Sequence, residues 1–167
     1  MINKAMKGMG GVLGKLKIPT SLMKMATGQI TNYLERLRKS DQNPKGLPVW
    51  INVYNKQRIT EDGEEEAMTI INFACLDVEQ GRFTVMEKHS PDTLMEKNPM
   101  IAAIAPVVTK LLGQVQQEQG GGRMVLSILN EYPENPKEKP YTVIRFTNQS
   151  TNEVVKQFSM AEIGENI

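Results

Sequence analysis

The chain has 167 residues, of which 40% are hydrophobic and 23% charged; this indicates one globular domain with room for a short appendage and excludes wholesale disorder. Its net charge of +1 hides two unequal parts, because residues 1–40 sum to +7 and residues 41–167 to −6. The single cysteine, Cys75, excludes an intrachain disulfide, and with a single histidine, His89, a thiolate–imidazole zinc site cannot be completed within one chain.

The first 40 residues form a basic segment rich in methionine, glycine and lysine, with no acidic residue before Glu35. This predicts a division into a helical arm at 1–40 and an acidic α+β domain at 41–167. Glycines weaken a helix over 2–16 by about 1 kcal/mol each, so this segment is not expected to be helical alone. Either it folds against a partner surface, or the first 18 residues are a mobile tail and the helix over 20–39 simply packs on the sheet. The residues expected to contact that partner are Lys4, Met6, Lys7, Met9, Leu13, Lys15, Leu16, Lys17, Met23 and Lys24.

The second half of this segment predicts a helix over 20–39. Pro19 ends whatever precedes it, and Thr20 or Ser21 can cap the new helix. Apolar residues then recur at three- and four-residue steps. They are Leu22, Ala26, Ile30, Tyr33, Leu34 and Leu37.

Three strand signals follow a loop at 40–48 that is rich in turn-forming residues. Alternation predicts strands over 49–55 and 82–87, and a longer apolar run predicts a strand over 67–76. An acidic turn at 61–64 and a glycine turn at 79–81 separate them. Together they indicate an antiparallel meander.

Helix signals come next. Ser90-Pro91 and Asn98-Pro99 each place a capping residue before a proline. The central helix after Pro99 is expected to bury Ile101, Ile104, Val108, Leu111, Leu112 and Val115. Gly120–Gly122 ends it, strands are predicted over 123–131, 141–147 and 152–158, and a last short helix begins near Ser159.

The two strand sets resemble each other, since the segment 68–73 aligns with 141–146 and similar elements flank both. The predicted fold is therefore α+β, with antiparallel meanders in a possible βββα-βββα pseudo-repeat packed against a central helix. Convergence of unrelated meanders on one pattern is the alternative to internal duplication. The layout also looks like that of the PUR and Whirly single-strand-binding folds, which implies nucleic-acid binding by analogy of architecture.

Signals for catalysis, cofactors and membrane insertion are weak. The sequence has no Gly-x-Ser-x-Gly elbow, and its triple glycine follows a helix, the reverse of a phosphate-binding loop. His89 is expected at the surface or in a cap. The N-terminus lacks the apolar stretch of a signal peptide, and the most apolar segment, 100–112, is too short to span a bilayer. We therefore expect no enzyme activity and no cofactor.

The charge division leads to the functional expectation. It predicts a non-enzymatic structural protein that docks through its basic arm onto copies of itself or onto a larger bacterial or viral complex. Its expected location is the cytoplasm or an assembled particle. The first alternative is a peripheral protein whose amphipathic arm lies on an anionic membrane. The second is single-strand nucleic-acid binding, which is disfavoured by the lack of arginine before Arg36, by the lack of aromatic residues before Tyr33 and by the acidic body.

Overall fold

The computed structural model describes residues 20–103 and 105–160. Four helical segments and six strands make up this part of the chain. In order they are α1 (Thr20–Arg38), β1 (Val49–Ile59), β2 (Glu65–Asp77), β3 (Arg82–His89), α2 (Pro91–Lys97), α3 (Pro99–Ala102), α4 (Ala105–Glu118), β4 (Met124–Glu131), β5 (Tyr141–Asn148) and β6 (Glu153–Ser159).

The strands form one antiparallel sheet in the order β3-β2-β1-β4-β5-β6. Each set of three consecutive strands is a meander, and the two meanders join where residues 50–53 of β1 pair with 126–129 of β4. The α+β class and the two predicted meanders are therefore confirmed. The shared central pair makes them halves of one sheet.

The core lies between the helices and one face of this sheet. Helix α1 contributes Ala26, Ile30 and Leu34, each at most 1% exposed. The predicted stripe on this helix is confirmed at these positions, and Tyr33 and Leu37 pack at its margin. Because α1 shares one cluster of buried residues with α4 and both meanders, it is built into the folded body.

The end of α1 is held by the side chain of Asn43, which is 4% exposed. Its amide nitrogen donates to the carbonyls of Arg38 and Leu47, and its oxygen accepts from the Leu47 backbone. These bonds satisfy a helix-end carbonyl that would otherwise lack a partner. They also fix the loop between α1 and β1, since Leu47 lies two residues before β1 begins.

The sequence predicted one helix after Pro99, and the burial of its residues Ile101, Val108, Leu111, Leu112 and Val115 is confirmed, whereas Ile104 lies outside the described residues. The structure divides it into α3, which ends at Ala102, and α4, which begins at Ala105. Pro106 has no N–H to donate to the carbonyl of Ala102, and its ring crowds that carbonyl. The caps by Ser90 and Asn98 are confirmed, and Ser90 forms a capping box with Thr93.

The β1–β2 hairpin is longer than predicted. Only residues 50–53 of β1 pair with β4, whereas 49–59 all pair with β2. The outer part is thus a two-stranded ribbon that projects beyond the sheet. Its acidic turn closes through bonds from Thr60 to Glu64, and Gly63 adopts a φ of +79° that favours glycine.

The two meanders also share an irregularity. The β2–β3 register shifts between Phe73 and Ala74, and the β5–β6 register shifts between Phe146 and Thr147. Phe73 and Phe146 are equivalent residues in the sequence alignment of 68–73 with 141–146. The shared bulge fits a pseudo-repeat, whereas internal duplication stays a prediction.

Candidate functional site: the open face of the sheet

Most of the residues that the sequence nominated for partner contact lie outside the described residues. Met23 and Lys24 lie in α1, where Lys24 is exposed. The predicted division between residues 40 and 41 stays a prediction. The nominated residues that lie outside the described part are Lys4, Met6, Lys7, Met9, Leu13, Lys15, Leu16 and Lys17.

The described helices pack on one face of the sheet, and the opposite face is here called the open face. Side chains alternate between the faces along each strand. In β1, Val49, Ile51 and Val53 join the core, so the even positions 50–58 lie on the open face. Pairing registers extend this face to 66–76 (even), 83, 85, 88, 125–131 (odd), 141–147 (odd), 154, 157 and 159.

An aromatic and cationic cluster occupies part of this face. The rings of Trp50 and Phe83 meet edge to face with centroids 5.2 Å apart. The guanidinium carbon of Arg145 lies 5.0 Å from the Trp50 ring centroid, within cation–π range. Trp50 is half-buried, whereas 42% of Phe83 and 48% of Tyr141 is exposed. The exposed rings are available for stacking.

Arg145 is held in place by two further contacts. Its Nε donates to Gln157 Oε1 at 2.7 Å, and a terminal nitrogen donates to Glu131 Oε1 at 3.2 Å. Together with the Trp50 ring, these contacts fix the guanidinium against the sheet. The cation therefore has little side-chain entropy left to lose when a ligand binds.

A row of polar residues crosses the whole open face. Each member stands directly opposite the next on the neighbouring strand. Ser127 is only 3% exposed, and its hydroxyl donates to Asn52 Oδ1 at 2.7 Å. At a strand spacing of about 4.8 Å, the row extends for roughly 24 Å. From β3 to β6 it consists of Lys88, Asn72, Asn52, Ser127, Arg145 and Gln157.

The open face is basic although the body is acidic. It carries four cations and two carboxylates, and both carboxylates form ion pairs with arginines of the same face. Its sum is therefore +2, while residues 41–160 together sum to −4. Neither Lys56 nor Lys88 forms an ion pair within the described part of the chain. Both are exposed to an approaching anion.

Ionisable groups on the helix side form a second cluster around Glu87. This carboxylate accepts hydrogen bonds from Tyr33, His89 and Lys97 at 2.9–3.1 Å. Burial raises the pKa of Glu87, but these bonds outweigh it and hold the pKa below its usual value. Burial and the bond to Glu87 raise the pKa of Tyr33 to about 12. These groups satisfy one another and connect α1, α2 and β3.

His89 lies deeper than its position at a strand–helix junction suggested. Its side chain is 9% exposed, its Nδ1 is 3.3 Å from the Thr93 hydroxyl, and its ring packs edge-on against Phe73. Cys75 is buried, and burial raises the pKa of its thiol. A buried thiol with a raised pKa is a poor nucleophile. Both side chains serve packing and hydrogen bonding at the helix–sheet boundary.

Two properties of residues 20–103 and 105–160 are relevant to function. Three or more His, Cys, Asp or Glu side chains are nowhere grouped there so that they could hold a metal ion. Among the helices of the same ranges, none is both long and apolar enough to cross a membrane.

Comparisons with known proteins identify no relative: no family model matches the chain, and neither a curated protein nor a solved structure matches it. The resemblance in layout to the PUR and Whirly folds therefore stays a prediction.

The residues of the open face were not nominated from the sequence. Alternation in β1 does separate Trp50, Asn52 and Tyr54 from Val49, Ile51 and Val53. It does not say which set the helices cover, because both sets contain large apolar side chains. The polar row involves six strands, so it depends on five pairing registers that a single sequence does not supply.

Proposed function

We propose that this chain is a non-enzymatic binding protein that holds single-stranded nucleic acid on its open face. The observation that carries the proposal is the combination of exposed aromatic rings with a net positive charge on the face of the sheet opposite the described helices. Aromatic stacking and cationic contacts to phosphate are the two general requirements of such binding. This geometry favours the nucleic-acid alternative over the other expectations from the sequence.

The exposed aromatic rings of the open face provide stacking surfaces for bases. Bases of a single strand can stack on Phe83 and Tyr141, which lie at the surface. Each stacked base contributes about 1–3 kcal/mol to binding. Trp50 lies between Phe83 and Arg145, in contact with both, and adds apolar surface beside the exposed Phe83 ring. Bases in a duplex are already stacked, so this surface favours single strands.

The positive charges of the open face provide contacts to phosphate. Lys56 and Lys88 stand at the surface without ion-pair partners among the described residues, and Arg145 is held near the tryptophan. A polyanion is attracted to this face and repelled by the acidic remainder of the body. The charge distribution therefore directs a nucleic acid to the open face.

The experiment is fluorescence anisotropy with labelled single-stranded DNA and RNA of about 16 nucleotides, the upper end of site sizes for one binding fold. A duplex of the same sequence serves as a comparison. We expect salt-dependent binding of the single strands that exceeds binding of the duplex. Lys88→Glu is expected to weaken binding, whereas Lys110→Glu, the same charge change at an exposed position of α4, is expected to weaken it much less. Undetectable binding of both single strands contradicts the proposal.

The stacking contribution is tested separately with Phe83→Ala. Loss of one stacked base is expected to weaken binding by about tenfold. Met95→Ala removes an exposed apolar side chain from α2 and serves as the matched control. Equal effects of the two substitutions would show that stacking on the open face does not hold the ligand.

A second candidate function is assembly through the basic arm, and the charge division of the sequence favours it. Residues 1–19 sum to +4 and residues 20–167 to −3, so the part of the arm before α1 in one copy complements the body of another. Helix α1 is anchored in the core by Ile30 and Leu34, which ties the preceding segment to the body. The position of α1 would thus fix where on the body the arm is attached.

Light scattering after size exclusion tests this candidate on the full chain and on residues 20–167. The truncation is placed at residue 20 because removal of α1 would expose the core. An oligomeric full chain beside a monomeric truncation supports assembly, and two monomers contradict it. With two monomers, cosedimentation with anionic but not neutral vesicles, lost on replacing Lys7, Lys15 and Lys17 by Glu, would favour the membrane alternative.

A further inference from the structure

We infer that a bound single strand crosses the sheet from β3 to β5 and stacks on Phe83 and Tyr141 at once, so that a trinucleotide is too short to fill the site. This inference rests on the proposed binding of single strands and assigns that strand a path and a minimum length. The two rings are 42% and 48% exposed, so both are accessible to a ligand in the structure as it stands.

The two rings lie on one line across the sheet. Phe83 stands opposite Leu76 on β2, whose backbone N–H donates to the carbonyl of Pro48 just before β1. Tyr141 stands opposite Glu131 on β4, and the β1–β4 register, continued to Glu131, also reaches Pro48. Four strand spacings of about 4.8 Å separate β3 from β5, so the rings are roughly 19 Å apart.

Cations lie on a second line, on the other side of Trp50. Lys88 and Arg145 belong to the polar row, which crosses β1 at Asn52, two residues after Trp50. The line of the rings crosses at Pro48, two residues before Trp50. Each line is therefore about 7 Å from the row of Trp50. A sugar–phosphate backbone over that row directs its bases toward the rings and its phosphates toward the cations.

The row of Trp50 between these lines carries no charge. It includes three apolar side chains that are each at most 5% exposed. They are Ala74, Leu129 and Val143. The carboxylate nearest to the path is that of Glu131 beside Tyr141, and Arg145 pairs with it at 3.2 Å. This ion pair reduces its repulsion of a phosphate.

The distance between the rings sets the length of the ligand. Stacked nucleotides of one strand are about 3.4 Å apart, so a stacked strand needs about six nucleotides to reach from ring to ring. Even at twice that spacing, the two steps of a trinucleotide cover only about 14 Å. A strand that ran along β3 or β5 would meet one ring, whatever its length.

The test measures the binding of end-labelled oligo-dT of 12 and of 3 nucleotides to the full chain by fluorescence anisotropy. For the 12-mer, Phe83→Ala and Tyr141→Ala are each expected to weaken binding about tenfold, and the double substitution about a hundredfold, because both rings hold one molecule. The trinucleotide stacks on one ring at a time, so each single substitution is expected to weaken its binding about twofold or less. Saturation is expected at one 12-mer per chain.

Two control variants separate the path from general effects. Val154→Ala shortens an exposed apolar side chain of the open face on β6, away from the line of the rings, and is expected to leave the affinity for the 12-mer unchanged. Tyr141→Phe keeps the ring and is also expected to bind like the unaltered chain. On the unaltered chain, affinity is expected to rise more from 3 to 6 nucleotides than from 6 to 12.

Three results overturn this inference alone. The first is a 12-mer affinity that only one of the two ring substitutions lowers beyond the effect of Val154→Ala. The second is saturation at two 12-mers per chain, and the third is a length series on the unaltered chain that rises no more from 3 to 6 nucleotides than from 6 to 12. If neither single-stranded DNA nor RNA of any length binds, the proposed function fails and this inference fails with it.

Discussion

Glu87 shows how a single carboxylate joins three elements of this fold. It lies on β3 and accepts hydrogen bonds from α1 through Tyr33 and from α2 through Lys97, with His89 as a third partner. Its side chain is only 14% exposed, so the ionised form depends on these donors. Glu35 follows the same rule: burial raises its pKa, but Arg38, Tyr132 and Asn130 together hold the pKa below its usual value.

Glu87→Gln is expected to lower the free energy of unfolding at neutral pH by about 1–3 kcal/mol, because hydrogen bonds to a charged acceptor are replaced by hydrogen bonds to a neutral one. The folded-state pKa of Glu87 is depressed, so its contribution is complete above the unfolded value of about 4.3. It is lost as the pH falls through the lower folded-state pKa.

Urea unfolding at neutral pH and at about pH 3 measures this effect. The difference between wild type and Glu87→Gln should shrink in acid. Glu96→Gln, an exposed substitution on α2, should change stability little at either pH. A difference that is the same at both pH values would show that the charge of Glu87 is not the cause.

The two edge strands, β3 and β6, are both protected against pairing with other chains. Each carries an inward-facing charge next to a bulge: Glu87 stands opposite Phe73, and Lys156 stands opposite Phe146. Lys156 forms an ion pair with Glu118 on α4. Bulges and inward charges are the usual features that keep exposed sheet edges from associating. Sheet extension is therefore a poor route to self-assembly for this fold.

Lys156→Val is expected to promote concentration-dependent self-association, because it removes the inward charge of β6 and raises the β propensity of this edge strand. Sedimentation velocity over a range of protein concentrations measures the effect. Lys110→Val makes the same change at an exposed position of α4, away from the edge. Equal association of the two variants would mean that lost charge, and not edge protection, is responsible.

The whole described molecule shares one core. Residues of α1, α4 and both meanders belong to a single buried cluster, and the central β1–β4 pair connects the two halves of the sheet. Neither meander can bury its apolar face alone, since α1 contacts strands of both halves. The two halves are therefore expected to fold and unfold together.

Urea is therefore expected to unfold the protein in one cooperative transition. The fluorescence of Trp50, the single tryptophan, reports on the junction of the two meanders, and far-UV circular dichroism reports on all helices and strands. The two transition curves should coincide. Separate transitions would show that the meanders are independent units.

Much of the fold could be predicted from local pattern, because capping, turn chemistry and amphipathic periodicity act over a few residues. Helix α1, the capped start at Ser90 and the acidic turn before β2 followed from such signals. The break before α4 does not follow from the sequence, because an apolar stripe on both sides of Pro106 also fits a continuous helix. The length of the β1–β2 ribbon does not follow from the sequence, because residues 55–58 of β1 are polar on both faces.

The sequence by itself determined the α+β class, the two meanders and the division of charge between a basic start and an acidic body, since each depends on residue order and count alone. Only the tertiary structure decided which face of the sheet the helices cover. That choice places Trp50, Phe83 and Arg145 together at the surface and aligns Asn52 with Asn72. The physical reason is that a strand's alternation defines two faces equally well, and packing between distant elements selects the one that is buried.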